Sequence, residues 1–138
     1  MTEVEAYGDA SDPASHFAFR RGGAARVMVG PPGVVYVYRA HGVHPCFNIV
    51  CEPAGAASAV LVRGVALLPD RQLIAGPGRT ARALGITTDD HGALLDVGRI
   101  RVSMHREPLL ITQTPRINVP RAPLTPWRFV GEPRIDHP

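Results

Sequence analysis

The chain has 138 residues, enough for one domain with a buried core and few for two. Fourteen glycines and fourteen prolines, the latter about twice average usage, call for many turns between short elements. All fifteen basic residues are arginine, against twelve acidic ones, and the resulting charge of +3 suits a phosphate-bearing partner without demanding one; the chain holds no apolar run of the roughly 18 residues a membrane span needs, and its start lacks a signal pattern, so a cytoplasmic location and no membrane partner are expected.

In chain order, "TEVEAY" (Thr2–Tyr7) alternates and ends as a short strand, and "GDASDPAS" follows as a loop of turn formers. "FRRGGAARVMVGPPG" (Phe19–Gly33) is basic and glycine-rich and closes on a turn that should release a new strand. That strand, "VVYVYRA", and the next, "CFNIVC", flank "HGVHP" and read as a β-hairpin with a five-residue tip, His41–Pro45. "SAVLVRGVALL" (Ser58–Leu68) is an apolar, buried strand, and "GPGRTARALGI" (Gly76–Ile86) a short helix entered through a glycine-rich turn. "RIRVSM" (Arg99–Met104), "PLLITQ" (Pro108–Gln113) and "WRFVG" (Trp127–Gly131) read as further strands. The expected fold class is α+β: one domain over residues 1–138, a mixed but mainly antiparallel sheet with a protruding hairpin and few short helices.

A tip centred on Val43 would set Ala40 opposite Cys46 and Tyr38 opposite Asn48, with facing β-carbons about 5 Å apart. Tyr38 would offer a stacking surface beside the Asn48 amide, which can hydrogen-bond or obstruct the edge of a base, and His41 would lead the tip. Tyr-Val-Tyr is also ordinary sheet sequence. Glu5 and Tyr7 point to the same side of their strand, so the carboxylate is either a general base beside a stacked ligand or an exposed strand-end charge. Cys46 and Cys51, five positions apart, read as reduced, small apolar groups rather than a zinc pair.

Taken together these pieces resemble the alkyladenine (3-methyladenine) DNA glycosylase family. The resemblance is carried by "VEAY" with His16 eleven residues beyond its Glu, "GVVYVYRAHGVHPCFNIV", "AVLVRG", "GPGRTARALGIT", "TPRINV" and "PWRF", in the family's order, from Thr2 to about Pro133. It implies a monofunctional glycosylase that flips alkylated or deaminated purines out of double-stranded DNA and excises them. Glu5 would activate the water, Arg63 would help hold it, and the main-chain carbonyl of Ile117 would assist. Tyr7 would form one wall of the base pocket, Tyr38 with His16 the other, and Asn48 would crowd the exocyclic amino group of normal guanine. His41 stands where the family commonly inserts a tyrosine into the duplex. No metal or organic cofactor is implied, and a monomer is expected.

The chemistry fits those residue types. A base must leave the stack before its glycosidic bond is reached, and damaged bases cost least to extrude. Alkylated purines carry positive charge, which tyrosine faces attract, and one carboxylate can both deprotonate water and stabilise an oxocarbenium-like sugar.

Three departures from the family pattern carry expectations. The smaller ring of His41 should fill a vacated stack less completely than tyrosine. Asn118 replaces the usual glycine and should disturb the Ile117 carbonyl. Only four residues precede Glu5, where the family has a helix and a strand, and the Arg63–Gly76 connection is short; the chain is therefore either a shortened member or one whose catalytic strand lacks a neighbour and leaves Glu5 mobile. Two other readings compete: a non-catalytic duplex-DNA-binding relative, and a metal site built from His41 and His44 with Cys46 or Cys51.

Overall fold

The computed structural model describes residues 1–20, 22–104 and 109–133. Its seven strands are β1 (Glu3–Tyr7), β2 (Val35–Ala40), β3 (His44–Ile49), β4 (Ala59–Leu67), β5 (Gln72–Ala75), β6 (Leu109–Thr114) and β7 (Arg128–Pro133). Two short helices, α1 (His16–Phe19) and α2 (Pro77–Ala83), and two 3₁₀ segments, Gly23–Val29 and Thr88–Asp90, complete the described elements. The strands form one sheet in the order β2-β3-β4-β1-β7-β6, with β5 folded back on β4, and every pairing is antiparallel.

The position of β1 corrects one expectation. This strand is not left without a neighbour: it pairs with β4 along its length and with β7 through Glu3, Val4 and Glu5. A ladder on both sides satisfies its backbone and holds it still. "WRFVG" supplies the second partner from the far end of the sequence, a long-range pairing that local pattern does not reveal.

The β2–β3 hairpin corrects another. Tyr36 faces Asn48, Tyr38 faces Cys46 and Ala40 faces His44, so the tip is His41–Val43 rather than His41–Pro45. The cause is local: His41 (φ 51°) and Gly42 (φ 70°) are both left-handed, which turns the chain in the sense that matches strand twist and shortens the loop. Glycine takes this conformation freely, and histidine is among the few other residues enriched there. Because side chains alternate with period two, a slip of two residues keeps Tyr36, Tyr38 and Asn48 on one face.

Each face of the sheet has its own apolar core. Val35, Val37, Phe47, Val62 and Val65 pack with Ala81 of α2 and with Ile86. On the other face Tyr36, Val50 and Ala59 pack with Ala25 and Met28 of the first 3₁₀ segment. "RIRVSM" is not a strand: among the described residues it joins no sheet, and Arg99 instead donates to Asp90 (2.9 Å) and to the Gly85 carbonyl (2.7 Å). Pro108, at the start of the expected "PLLITQ" strand, and Arg21 lie outside the described residues.

Candidate active site

Antiparallel pairing aligns one row of residues across the sheet. Tyr36 faces Asn48, Asn48 faces Leu61, Leu61 faces Glu5, Glu5 faces Arg128 and Arg128 faces Thr114. Directly opposed residues share a face, so Glu5 and Asn48, 43 positions apart in sequence, are two strands apart on one surface. Tyr36, Asn48 and Leu61 of that row line a cleft of about 840 Å³, with Tyr7, His16, Tyr38, Arg63 and His41 among its other lining residues, and Glu5 lies behind the lining.

Glu5 has no solvent exposure. Its Oε2 accepts from the Tyr7 hydroxyl at 2.8 Å and its Oε1 from the backbone N–H of Ile117 at 2.7 Å. A side chain tied at both oxygens is fixed, contrary to the expectation of a mobile acid. Ile117 thus meets Glu5 through its amide. Asn118 beside it adopts φ 55°, left-handed backbone that asparagine tolerates better than most residues, so the replacement for glycine keeps the turn.

Arg63 lies opposite β1 at a break in register: Glu3 faces Gly64 and Val4 faces Val62, which leaves Arg63 without a partner across the strand. Bulges of this kind re-aim side chains beside active sites. The Nε of Arg63 is 3.5 Å from Glu5 Oε1 and donates to Glu3 Oε1 at 2.9 Å. Burial by itself would raise the carboxyl of Glu3, but hydrogen bonds and charge from Arg128 and Arg63 outweigh it and hold it below its ordinary value.

Tyr7 is backed by Arg116, a buried residue without a role in the sequence-based expectations. Its guanidinium carbon sits 4.7 Å from the Tyr7 ring centre and 5.2 Å from that of Trp127. The same group makes a two-pronged pair with buried Asp12, at 2.7 and 2.9 Å, and donates to the Ala6 carbonyl at 2.9 Å. Burial would raise Asp12; the hydrogen bonds from Arg116, Gly8 and Ala14 reverse that and lower it. Burial, then the charge and hydrogen bond of Glu5, push the Tyr7 phenol well above its usual range, so it serves Glu5 as a donor.

His16, Tyr36 and Tyr38, also at the cleft, form a neutral aromatic group. His16 meets Tyr38 edge to face, ring centres 4.3 Å apart, and its Nδ1 shares a hydrogen bond of 2.8 Å with the Tyr36 hydroxyl. Burial, aided by the charge of Arg20, lowers His16 to about 4, which leaves a neutral imidazole near pH 7. Burial drives Tyr36 up to about 12 and Tyr38 higher still. Asn48 is buried and spends its amide hydrogens on the carbonyls of Tyr36 and Cys46, each at 3.2 Å, so its side chain is locked. Tyr36, half of "YVY", sets His16 and was absent from the expected site; its place beside Tyr38 at period two was the available signal. Arg116 in "TPRINV" gave none.

The tip residues His41 to Val43, and His44 after them, are exposed, and His41 and Gly42 stand at the cleft's border. Cys46 is a buried and Cys51 an exposed free thiol. Among the described residues, no group of three or more His, Cys, Asp or Glu side chains gathers as a metal ion would require. No described helix is long and apolar enough to cross a membrane.

The sequence pattern of a known family, methylpurine-DNA glycosylase (MPG), matches residues 1–134. The chain belongs to the methylpurine-DNA glycosylase family. Its relatives include a protein of Rhodopseudomonas palustris, 42% identical over 142 residues that cover 94% of this chain and 68% of the relative. One from Nitrosospira multiformis is 37% identical over 153 residues, 100% of this chain and 79% of its own. One from Cutibacterium acnes is 38% identical over 151 residues, 94% and 78% respectively. All three are provisionally named 3-methyladenine DNA glycosylases. Family membership makes this chain a DNA-repair enzyme of the glycosylase class.

Proposed function

We infer that this methylpurine-DNA glycosylase hydrolyses the N-glycosidic bond of alkylated or deaminated purines of the 3-methyladenine type, flipped out of duplex DNA, with Glu5 as general base. The observation that carries the reading is the Glu5 carboxylate, fixed by Tyr7 and Ile117 and set in one sheet row with Asn48 at the cleft where Tyr7, His16 and Tyr38 meet.

In this reading the flipped purine lies between Tyr7 and the His16–Tyr38 wall. A cationic alkylated base is attracted by the phenol faces and is not repelled by His16, which is neutral. As the bond from C1′ to the purine nitrogen breaks, its electron pair leaves with the base, and a cationic 3-methyladenine departs neutral. The sugar gains oxocarbenium character, which the negative charge of Glu5 stabilises. Water adds to C1′ while its proton passes to Glu5. Arg63 and the main chain at Ile117 orient the water, and the locked Asn48 obstructs the amino group of normal guanine. His41, at the exposed tip, enters the duplex where the purine was. No cofactor takes part, and one copy of the chain acts alone.

Release of 3-methyladenine from methylated duplex DNA, and of hypoxanthine from a defined duplex, tests this in wild type and Glu5→Gln. Excision by wild type and its loss in the variant are expected. Equal release by both removes Glu5 from the mechanism; duplex binding with no release by either selects the non-catalytic alternative.

A further inference from the structure

Glu3 is a charged group beside the site for which the proposed hydrolysis has no use. It stands two residues before Glu5, and its Oε1 accepts from Arg63 Nε at 2.9 Å and from Arg128 Nε at 2.7 Å. The Arg63 Nε that it holds lies 3.5 Å from Glu5 Oε1. One N–H therefore faces two carboxylates, and Glu3 takes it. Arg128 continues to Thr114, donating from Nη1 at 3.0 Å, and Thr114 lies three residues ahead of Ile117, whose N–H holds Glu5. Two routes thus run from Glu3 to Glu5 Oε1, one through Arg63 and one through Arg128, Thr114 and the chain that leads to Ile117.

The close approach of Glu3 to β4 depends on Gly64. A β-carbon there would sit 3.0 Å from the Glu3 β-carbon and 2.9 Å from Thr2 Oγ1. The charges also balance: Glu3 and Glu5 offset Arg63 and Arg128. Without the charge of Glu3 the group of four carries a net positive charge where a sugar cation develops.

We propose that Glu3 is a positioning residue for the hydrolysis, taking the hydrogen bond of Arg63 Nε so that Arg63 stays at 3.5 Å from Glu5 without donating to it and the Glu5 carboxylate is left to the water and the sugar. The proposal rests on the reading of Glu5 as the base. It assigns Glu3 no contact with DNA; it acts through Arg63 and, by way of Arg128 and Thr114, through the Ile117 turn.

The experiment is single-turnover release of hypoxanthine at saturating enzyme, with duplex affinity and melting temperature measured alongside, for wild type, Glu3→Gln, Glu3→Asp, Arg63→Gln, the Glu3→Gln/Arg63→Gln pair and Glu5→Gln. Glu3→Gln keeps shape and loses charge; it should react about 10- to 100-fold more slowly, the scale of a small misplacement of reacting groups, with duplex affinity changed by no more than about twofold. Glu3→Asp should recover part of the rate. In the pair, Glu3→Gln should cost clearly less than it does alone, because Arg63 carries one of its two routes to Glu5. A wild-type rate for Glu3→Gln, or losses that multiply in the pair as for an independent structural role, overturns the proposal. Should Glu3→Gln fail to fold, Arg128→Lys carries the test, since it keeps the charge beside Glu3 and drops the link to Thr114: slower release at unchanged affinity and melting supports the proposal, and an unchanged rate overturns it. Slow Glu5→Gln beside a fast Glu3→Gln rejects Glu3 alone, whereas a fast Glu5→Gln rejects the base itself.

Discussion

The two walls of the cleft are built from opposite materials. One, made by β1, β4, β7 and the turn at Arg116–Asn118, is a lattice of charge in which Glu5, Arg116 and Asp12 are buried and Glu3, Arg63 and Arg128 partly exposed. The other, made by α1 and the β2–β3 hairpin, holds Tyr36, Tyr38, a neutral His16 and the locked amide of Asn48. The first wall sits at the centre of the sheet, where ladders on both sides fix the backbone; the second ends in an exposed two-stranded tip. The contrast separates tasks. In the proposed function, the groups fixed relative to the reacting bond lie on the paired strands, and all the ring-accepting groups but Tyr7 lie on α1 and the arm offered to the duplex.

The sharpest way to break the charged wall is Arg116→Met. It leaves Asp12 buried without its partner, and removal of one member of a buried pair typically costs about 3–5 kcal/mol. Urea unfolding should register a loss of that order, with Asp12→Asn milder, and unchanged stability would show that the pair does not support Tyr7. Next in size is the aromatic wall. Tyr38→Ala should weaken the complex with a duplex holding an extruded base by about 1–3 kcal/mol, the worth of one stacked ring, while Tyr38→Phe should stay near wild type. Equal losses in both would point to the hydroxyl instead. His41→Ala should lower duplex affinity only severalfold and leave melting unchanged, since the side chain is exposed at the tip; a fall in melting temperature would give His41 a structural part.

The smallest effect is a pH slope. His16 is held at about 4, below its ordinary 6.5, chiefly by burial. Between these values the unfolded chain binds a proton that the folded one refuses, so the stability His16 contributes is complete above 6.5 and falls as the pH drops towards 4. Melting temperature should therefore decline less between pH 7 and pH 5, roughly either side of the ordinary histidine value, in His16→Gln than in wild type. Identical declines would place the proton elsewhere.

The aromatic wall was the more legible in the sequence. Tyr38 and Asn48 announce themselves by their places on the two strands around a Gly-bearing turn, and a register error of two left them on the correct face. The hairpin, β4, α2 and β7 were readable for the same local reasons. The charged wall was not: the bulge that leaves Arg63 unpaired, the union of β1 with β7 and the seat of Arg116 under Tyr7 join residues more than a hundred positions apart or depend on register. "RIRVSM" misled because its alternation is real while Arg99 is committed to Asp90 and the Gly85 carbonyl. β5 was missed because it lies beyond the expected strand, in the short stretch between Leu68 and Gly76 where the chain turns back at Arg71, a left-handed residue no pattern marks.

The most direct test of the whole account is the affinity for duplex DNA in which a cationic pyrrolidine replaces the sugar of the damaged nucleotide, measured against a neutral tetrahydrofuran in the same place. If a fixed Glu5 carboxylate faces the developing sugar cation, wild type binds the cationic duplex much more tightly than the neutral one, and Glu5→Gln loses that preference while binding the neutral duplex as before. A preference of equal size in both proteins would contradict it.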